Sequence, residues 1–264
     1  MAAMGWNPLA TQFCLEIAFG VLLALAFVPR APVGPLFYRI MGTCAFLPLL
    51  VALVASLAWG GASASDPSIW LTAAAIVGYP VVSGPFKGRR WALFLASSLL
   101  FSGAALVVTV AAASGLEGPL EILLGSLTAM ATGAVAGSVS LAMVLGHWYL
   151  TIPTLDVAHL RRLNRVTALS MLACLVLLVA TCFAFHGRLD AADSPLFGPR
   201  GMFHLGTRLL VGLVLPLLFA WMTAGSLRFR NTRSATGILY ASTILVLIGT
   251  AVSVSLQGSY GVPL

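Results

Sequence analysis

The chain has 264 residues, of which 60% are hydrophobic and only 8% are charged, and its formal net charge is +7. A soluble domain of this size carries about 25% charged residues, so the composition excludes a soluble protein and indicates an integral membrane protein. The basic residues fall in short connections between apolar runs rather than in one patch, which argues against nucleic acid as a partner. We expect residues 1–264 to form one membrane domain.

Apolar runs recur along the whole chain, and we count eight of them. They cover residues 13–28, 37–59, 69–82, 91–113, 122–149, 166–185, 202–224 and 235–256. Because about 20 apolar residues suffice to cross a bilayer as a helix, the pattern predicts an all-α polytopic membrane bundle of about eight transmembrane helices. The third run is short and holds Gly78 and Pro80, which predicts a kink, a tilt or an extension at either end.

Lys and Arg alternate between the connections, and this alternation predicts the orientation. Eleven of the fourteen basic residues lie in or beside every second connection, whereas the connections at 60–68 and 114–120 carry none. By the positive-inside rule the basic loops are cytoplasmic, so both termini are predicted outside and the protein in a bacterial inner membrane. The basic loop residues are Arg30, Arg39, Lys87, Arg89, Arg90, Arg161, Arg162, Arg165, Arg228, Arg230 and Arg233.

The seventh run contains two polar residues near its start, His204 and Arg208. They are four residues apart, so on a helix they share one face. Ionisable groups within a span are expensive and usually face a protein interior or a polar cavity. Glu16 stands inside the first run in the same way. We therefore expect Glu16 and Arg208 to make interior polar contacts, with a contact between the two as one option.

With the predicted topology, five ionisable residues fall at the outer side: Glu16, Glu121, His186, His204 and Arg208. A histidine near a carboxylate exchanges protons near neutral pH, as a quinol oxidation site requires. The sequence therefore predicts an outer polar pocket that binds quinone or quinol through Glu16, His204 and Arg208. For Glu121 and His186, a simple position at the water interface is the favoured interpretation.

Haem is a second cofactor hypothesis. Two histidines on neighbouring helices at matched depth can hold a b-type haem, and His186 and His204 lie on consecutive runs near the outer face. On the inner side, His147 and His159 form a less persuasive pair, because His147 adjoins interfacial aromatic residues and His159 adjoins arginines.

Other motifs favour packing over catalysis. Gly133 and Gly137 form a small-xxx-small motif, which lets another helix approach closely. The four cysteines show no metal-ligand spacing, so no metal site is predicted. The chain contains no phosphate-binding Walker loop, no HExxH and no GxSxG, which argues against an autonomous hydrolase or phosphoryl-transfer enzyme.

The predicted span count, orientation and outer polar residues together resemble the eight-helix membrane anchors of molybdoenzyme-type respiratory reductases. The resemblance implies a quinone-interacting subunit that works with other subunits and lipid; it assigns no residue. The first hypothesis is thus a membrane subunit of a bacterial electron-transfer complex, an enzyme only as part of a quinone-linked oxidoreductase. The alternatives are a structural subunit without a ligand and a transporter of small neutral solutes.

Overall fold

The computed structural model describes residues 6–28, 34–59, 65–84, 86–114, 118–152, 155–192, 195–262 and 264. Within these ranges all regular secondary structure is helical. Arg30 of the first predicted basic loop lies outside the described residues. The predicted all-α fold is therefore confirmed for the described part of the chain.

The helices follow the predicted apolar runs closely. In chain order they are α1 Trp6–Ala26, α2 Pro35–Trp59, α3 Pro67–Val77, α4 Tyr79–Val82, α5 Arg89–Ser114, α6 Pro119–Thr151, α7 Ala158–Ala184, α8 His186–Asp190, α9 Pro199–Gly206, a π-helical segment Thr207–Val214, α10 Leu215–Arg228 and α11 Thr232–Tyr260.

Seven helices in the described ranges are long and apolar enough to cross a membrane. They are α1, α2, α5, α6, α7, α11 and the continuous helix Pro199–Arg228 that joins α9, the π-helical segment and α10. The third predicted run is shorter and broken between α3 and α4 at Gly78, where a Cβ would lie 1.8 Å from Ser98 Oγ. A helical bundle with seven candidate membrane-spanning helices is thus shown for the described residues, whereas a count of eight and the outside termini stay predictions.

Helix α6 forms the centre of the bundle. In its candidate span 72% of the residues are buried, compared with 28% in α7 and 28% in Pro199–Arg228. Helix α6 packs against α1, α5, α7 and α11. The short helix α3 packs on α5 and α2, and α2 packs on α1. Residues of α6 are therefore enclosed by protein, whereas α7 and α10 turn wide faces outward.

Glycines bring α1 and α6 into backbone contact. A Cβ at Gly20 would lie 1.7 Å from the carbonyl oxygen of Gly133, and a Cβ at Gly137 would lie 1.9 Å from the carbonyl carbon of Gly20. No larger side chain fits at these positions without moving a helix. The close approach predicted from Gly133 and Gly137 is confirmed, and α1 is the helix that approaches.

The π-helical segment precedes a proline in the continuous helix Pro199–Arg228. In a regular α-helix the ring of Pro216 would collide with the carbonyl of Gly212, four residues earlier. Here the amide of Leu215 bonds to the carbonyl of Leu210, five residues back, so the wider turns relieve this collision. The segment also lies against α11, since a Cβ at Gly249 would lie 2.2 Å from Gly212 Cα.

Five helices extend further into the predicted basic loops than the apolar runs suggest. The residues concerned are Arg39 in α2, Arg89 and Arg90 in α5, Arg161, Arg162 and Arg165 in α7, Arg228 at the end of α10, and Arg233 in α11. The prediction that these residues occupy a loop is wrong. A helix keeps its internal hydrogen bonds where it leaves the hydrocarbon, so its end is set by capping rather than by the end of the apolar run.

Candidate functional site: a buried polar cluster

Glu16 lies inside the bundle on α1 and is 1% exposed. Gln12, one helical turn earlier, donates from Nε2 to Glu16 Oε1 at 2.8 Å. The same Nε2 donates to Gln257 Oε1 of α11, and both glutamines are 1% exposed. Three polar side chains thus connect α1 with α11 within the protein interior.

Arg208, in the π-helical segment, is the largest fully buried side chain described, at 2% exposure. Its Nη2 donates to Thr132 Oγ1 of α6 at 2.8 Å and lies 3.9 Å from the Sγ of Cys174 on α7. The Thr132 hydroxyl also lies 3.7 Å from that sulfur. Arg208 therefore brings the π-helical segment, α6 and α7 together.

The two halves of this cluster are coupled by charge. The Arg208 guanidinium attracts the Glu16 carboxyl group when that group is ionised. The ion pairs within 4 Å that the described residues form lie elsewhere, at His186–Asp190 and Arg188–Glu121. The expected interior polar contacts of Glu16 and Arg208 are thus present, and their mutual attraction acts over a distance longer than a direct ion pair. We call the set Gln12, Glu16, Thr132, Cys174, Arg208 and Gln257 the polar cluster.

Three buried atoms of the polar cluster make no hydrogen bond: Glu16 Oε2, Arg208 Nε and Gln12 Oε1. Buried polar atoms are nearly always bonded, because an unmade bond in a low-dielectric interior is costly. A carboxylate oxygen that makes no hydrogen bond is also able to accept a proton. The polar cluster therefore contains hydrogen-bonding and proton-accepting atoms that its own contacts leave unused.

Three residues of the polar cluster lie well inside their helices. Glu16 is ten residues from the start of α1 and Arg208 is nine residues from Pro199, so they lie ~15 Å and ~13 Å along their helices at 1.5 Å per residue. Cys174 is ten residues from the far end of α7. Each of the three is thus more than two turns from the nearest end of its helix.

The hydrogen bond of His204 is made with its own helix rather than with Glu16 or Arg208. His204 is half-buried in α9, and its Nδ1 lies 2.9 Å from the carbonyl oxygen of Arg200 in the same helix. Its neighbours Met202 and Phe203 are 49% and 71% exposed. The structure thus brings together two of the three predicted quinone-site residues and places His204 about one turn further along the helix.

His186 begins the short helix α8 on the exterior. Its Nδ1 lies 3.2 Å from Asp190 Oδ2, with the imidazole 61% exposed, and its ring lies 5.9 Å from that of Phe197. In both His186 and His204 the Nδ1 atom is occupied locally, which leaves Nε2 as the atom for a ligand, as in many histidine ligands. The two imidazoles stand on separate elements, α8 packing on α7 and α9 on α11.

Sequence reasoning missed the other members of the polar cluster. Gln12 and Glu16 are four residues apart, a spacing that indicates one helix face and gave a usable signal. Thr132, Cys174 and Gln257 gave none, because small polar residues are frequent in these helices and nothing in one chain shows which helices meet. Among the described residues, no group of three or more His, Cys, Asp or Glu side chains is arranged to hold a metal ion.

No protein-family model, curated protein or solved structure matches this chain. Function therefore has to be inferred from the chemistry of the molecule itself. The two most informative places are the polar cluster and the arginine-rich contact between the N-terminal end of α7 and the C-terminal end of α10.

Proposed function

We propose that this protein is a membrane-embedded subunit of a bacterial electron-transfer complex that interacts with quinone or quinol. The observation that carries the proposal is the unpartnered Oε2 of Glu16, 1% exposed and electrostatically coupled to Arg208. Ionisable groups inside a membrane bundle are rare and mark proton or substrate pathways by default. A carboxylate used only to hold helices together would be expected to engage both oxygens.

In this proposal Glu16 is a proton acceptor. Oxidation of one quinol to quinone would release two protons and two electrons. Glu16 would take one proton and His204 the other, and both electrons would pass to a redox group of a partner subunit. Arg208 would be the positive charge of the cluster, held in place by its donation to Thr132. Gln12 and Gln257 then continue the polar contacts toward the end of α11, which the topology predicts to be outside.

His204 would mark the side from which the quinone ring approaches. It lies one turn from Arg208 toward the predicted outer end, beside the exposed Met202 and Phe203. Such a lipid-facing apolar surface suits a ligand that diffuses within the bilayer. The imidazole Nε2 is free of the local bond made by Nδ1 and is able to exchange a proton with the ring.

A structural role for the same residues is the second candidate, and the packing of α1 favours it. A Cβ at Gly133 would lie 2.4 Å from the carbonyl oxygen of Glu16, so Glu16 stands one turn from the still closer contact that Gly20 makes between α1 and α6. Buried polar contacts of this kind also fix which helices pair. In that case the polar cluster would hold the bundle together and bind nothing.

Quinone content separates these candidates. The protein is purified with its native lipid in polymer-bounded discs, and quinone is quantified after solvent extraction. We expect roughly stoichiometric quinone in the unsubstituted protein and in the control Glu121→Gln, which changes an exposed carboxylate on the same predicted side. We expect a clear loss in Glu16→Gln and His204→Ala. Quinone no higher than in protein-free discs, with the protein folded, would leave the structural role.

Haem at His186 and His204 is tested in the same preparation by a reduced-minus-oxidised optical spectrum. The donor chemistry fits a b-type haem, since each Nδ1 is occupied and each Nε2 is available. A haem band lost in both His186→Ala and His204→Ala would assign the pair. Absence of a band would leave a haem-free subunit whose redox groups reside in its partners.

A further inference from the structure

A cavity of about 410 Å³ opens between the first turns of α7 and the last turns of α10, at the predicted cytoplasmic end. This end lies opposite to the predicted quinone side, so the cavity is independent of the polar cluster. We call it the arginine cavity. Its lining residues are Arg161, Asn164 and Arg165 from α7 and Ala224, Leu227 and Arg228 from α10.

Two hydrogen bonds between helices hold the walls of the arginine cavity. Arg161 Nη2 donates to the carbonyl oxygen of Leu227 at 2.7 Å, and Asn164 Nδ2 donates to the carbonyl oxygen of Ala220 at 2.8 Å. The first bond adds a side-chain donor to a carbonyl in the last turn of α10 that also accepts from the backbone amide of Arg230 at 3.2 Å. The cavity is therefore a built feature of the α7–α10 contact rather than a gap between loose ends.

The charge of the arginine cavity has one sign. Arg161, Arg165 and Arg228 contribute three guanidinium groups, and no acidic side chain is among the lining residues. The nearest acid along the chain, Asp156, is bonded to the backbone amide of Ala158 at 2.9 Å. Arginine suits phosphate because its planar donors fit two phosphate oxygens at once. The cavity therefore favours an anion with a phosphate group.

Asn164 adds a second requirement. It is 4% exposed, its Nδ2 is bonded to Ala220, and its Oδ1 has no hydrogen-bond partner although it is buried. Asn164 lines the cavity but its Oδ1 is enclosed, so a donor from the ligand reaches that atom when the Asn164 side chain turns toward the cavity. The preferred ligand thus carries a hydroxyl or similar donor beside its phosphate.

Both helices continue from the arginine cavity as apolar, exposed faces. On α7, Leu169, Leu172 and Val176 follow Arg165 at helical spacing and are 66%, 47% and 68% exposed. On α10, Trp221 lies seven residues before Arg228 and is 73% exposed. Side chains three and four residues apart share a helix face, so these residues form apolar tracks beneath the cavity. A water-soluble phosphate would leave such tracks unused, whereas acyl chains cover them.

We propose that the arginine cavity binds an anionic phospholipid of the cytoplasmic leaflet with a hydroxylated headgroup, such as phosphatidylglycerol. The phosphate lies between Arg165 and Arg228, a headgroup hydroxyl donates to Asn164 Oδ1, and the acyl chains run along the exposed faces of α7 and α10. Basic pockets between helices at the cytoplasmic side are suited to anionic headgroups, and the inner leaflet supplies them.

Native mass spectrometry of the delipidated protein tests this with three lipids of matched chains. Phosphatidylglycerol has the charge and the hydroxyl, phosphatidylethanol has only the charge, and phosphatidylcholine has no net charge. We expect binding to weaken in that order, with phosphatidylglycerol at least about tenfold tighter than phosphatidylcholine. Equal binding of all three would overturn the proposal, and equal binding of the first two would remove Asn164 from it.

The matched variants are Arg165→Gln/Arg228→Gln and the control Arg89→Gln/Arg90→Gln. Both remove two exposed arginines from the predicted cytoplasmic side, but only the first pair lines the cavity. We expect about tenfold weaker phosphatidylglycerol binding in the cavity variant, no change in the control, and partial recovery in Arg165→Lys/Arg228→Lys. An equal loss in the control would show general surface attraction and overturn the site.

A competition experiment distinguishes lipid from free phosphate. Inorganic phosphate and glycerol 3-phosphate are added in large excess to the lipid-bound protein. We expect retention of the lipid, because the acyl chains contribute contacts that the soluble ions lack. Displacement of phosphatidylglycerol by either ion would show that the cavity takes a soluble phosphate, which would contradict the proposal.

Discussion

Arginines occupy two opposite kinds of surroundings in this bundle. Arg208 is 2% exposed, its Nη2 donates to Thr132 on α6, and it lies beside Cys174 on α7. Arg165 and Arg228 are exposed and border a cavity of about 410 Å³. The polar cluster contains an acidic residue, Glu16, beside its arginine. The arginine cavity has no acidic residue among its lining residues, and we propose that its counter-charge comes from a bound lipid.

In a membrane bundle the surroundings of a charged residue indicate its role. A buried cation with an internal counter-charge contributes to helix association and to proton chemistry. An exposed cation beside an open cavity, with no acid among its neighbours, selects an anionic ligand. Loss of an arginine should therefore impair folding in the first region and lipid binding in the second.

The largest effect on stability should follow Arg208→Met. Removing one partner of a buried charged pair leaves the other uncompensated and costs about 3–5 kcal/mol. We expect a large loss of folded protein on heating in bilayer discs, and partial recovery in Glu16→Gln/Arg208→Met, where neither charge remains. The control Arg188→Met removes an arginine whose side chain is 42% exposed and should behave like the unsubstituted protein. Equal stability of all four proteins would contradict a coupled pair.

A second large effect should come from Gly20→Ala. The added Cβ would lie 1.7 Å from the Gly133 carbonyl oxygen, so α1 has to move away from α6. We expect the free energy of unfolding to fall by about 3 kcal/mol, the upper end of the range for overpacked cores. Gly225→Ala and Gly237→Ala are matched controls, because a Cβ at either position meets nothing within 4 Å. Unfolding in graded denaturing detergent measures the difference. A Gly20 variant as stable as the controls would refute the backbone contact.

Thr132→Val should have a moderate effect. It keeps the shape of the side chain but removes the oxygen that accepts from Arg208 at 2.8 Å, and hydrogen bonds to charged groups contribute about 1.5–3 kcal/mol. The control Thr151→Val changes an exposed hydroxyl that bonds only to Trp148 of its own helix. In Arg208→Met the additional loss from Thr132→Val should nearly disappear. Additive losses would show that the two residues act independently.

The smallest effect should follow loss of the exterior pair Arg188–Glu121. The two side chains are 42% and 36% exposed and 3.8 Å apart, so the pair is worth about 0–1 kcal/mol. We expect Arg188→Gln to shift the unfolding midpoint slightly and the shift to vanish at high salt. A shift comparable to that of Arg208→Met would mean that exposure is a poor guide to the role of arginine here.

Helix content was predictable because apolar runs in this chain are long and separated by Gly, Pro and Arg. The interior position of Glu16 and Arg208 followed from the cost of charge in hydrocarbon, and the Gly133–Gly137 motif indicated a close helix contact. The partner of that motif was not predictable, since helices that are apolar all round show no preferred face. Asn164 was also missed, because the sixth apolar run was predicted to begin at residue 166. The helical spacing of Arg161, Asn164 and Arg165 indicates that the helix begins before that run.

The most direct test of the proposed function is quinol-linked electron transfer in membranes that contain the protein with its native partners. Glu16→Gln and the control Glu121→Gln are compared with the unsubstituted protein at equal amounts of folded protein. The proposed role of Glu16 as proton acceptor predicts at least about 100-fold slower turnover in Glu16→Gln, as for loss of a general base, and unchanged turnover in the control. Turnover in Glu16→Gln equal to that of the control would contradict it and assign the polar cluster to helix packing.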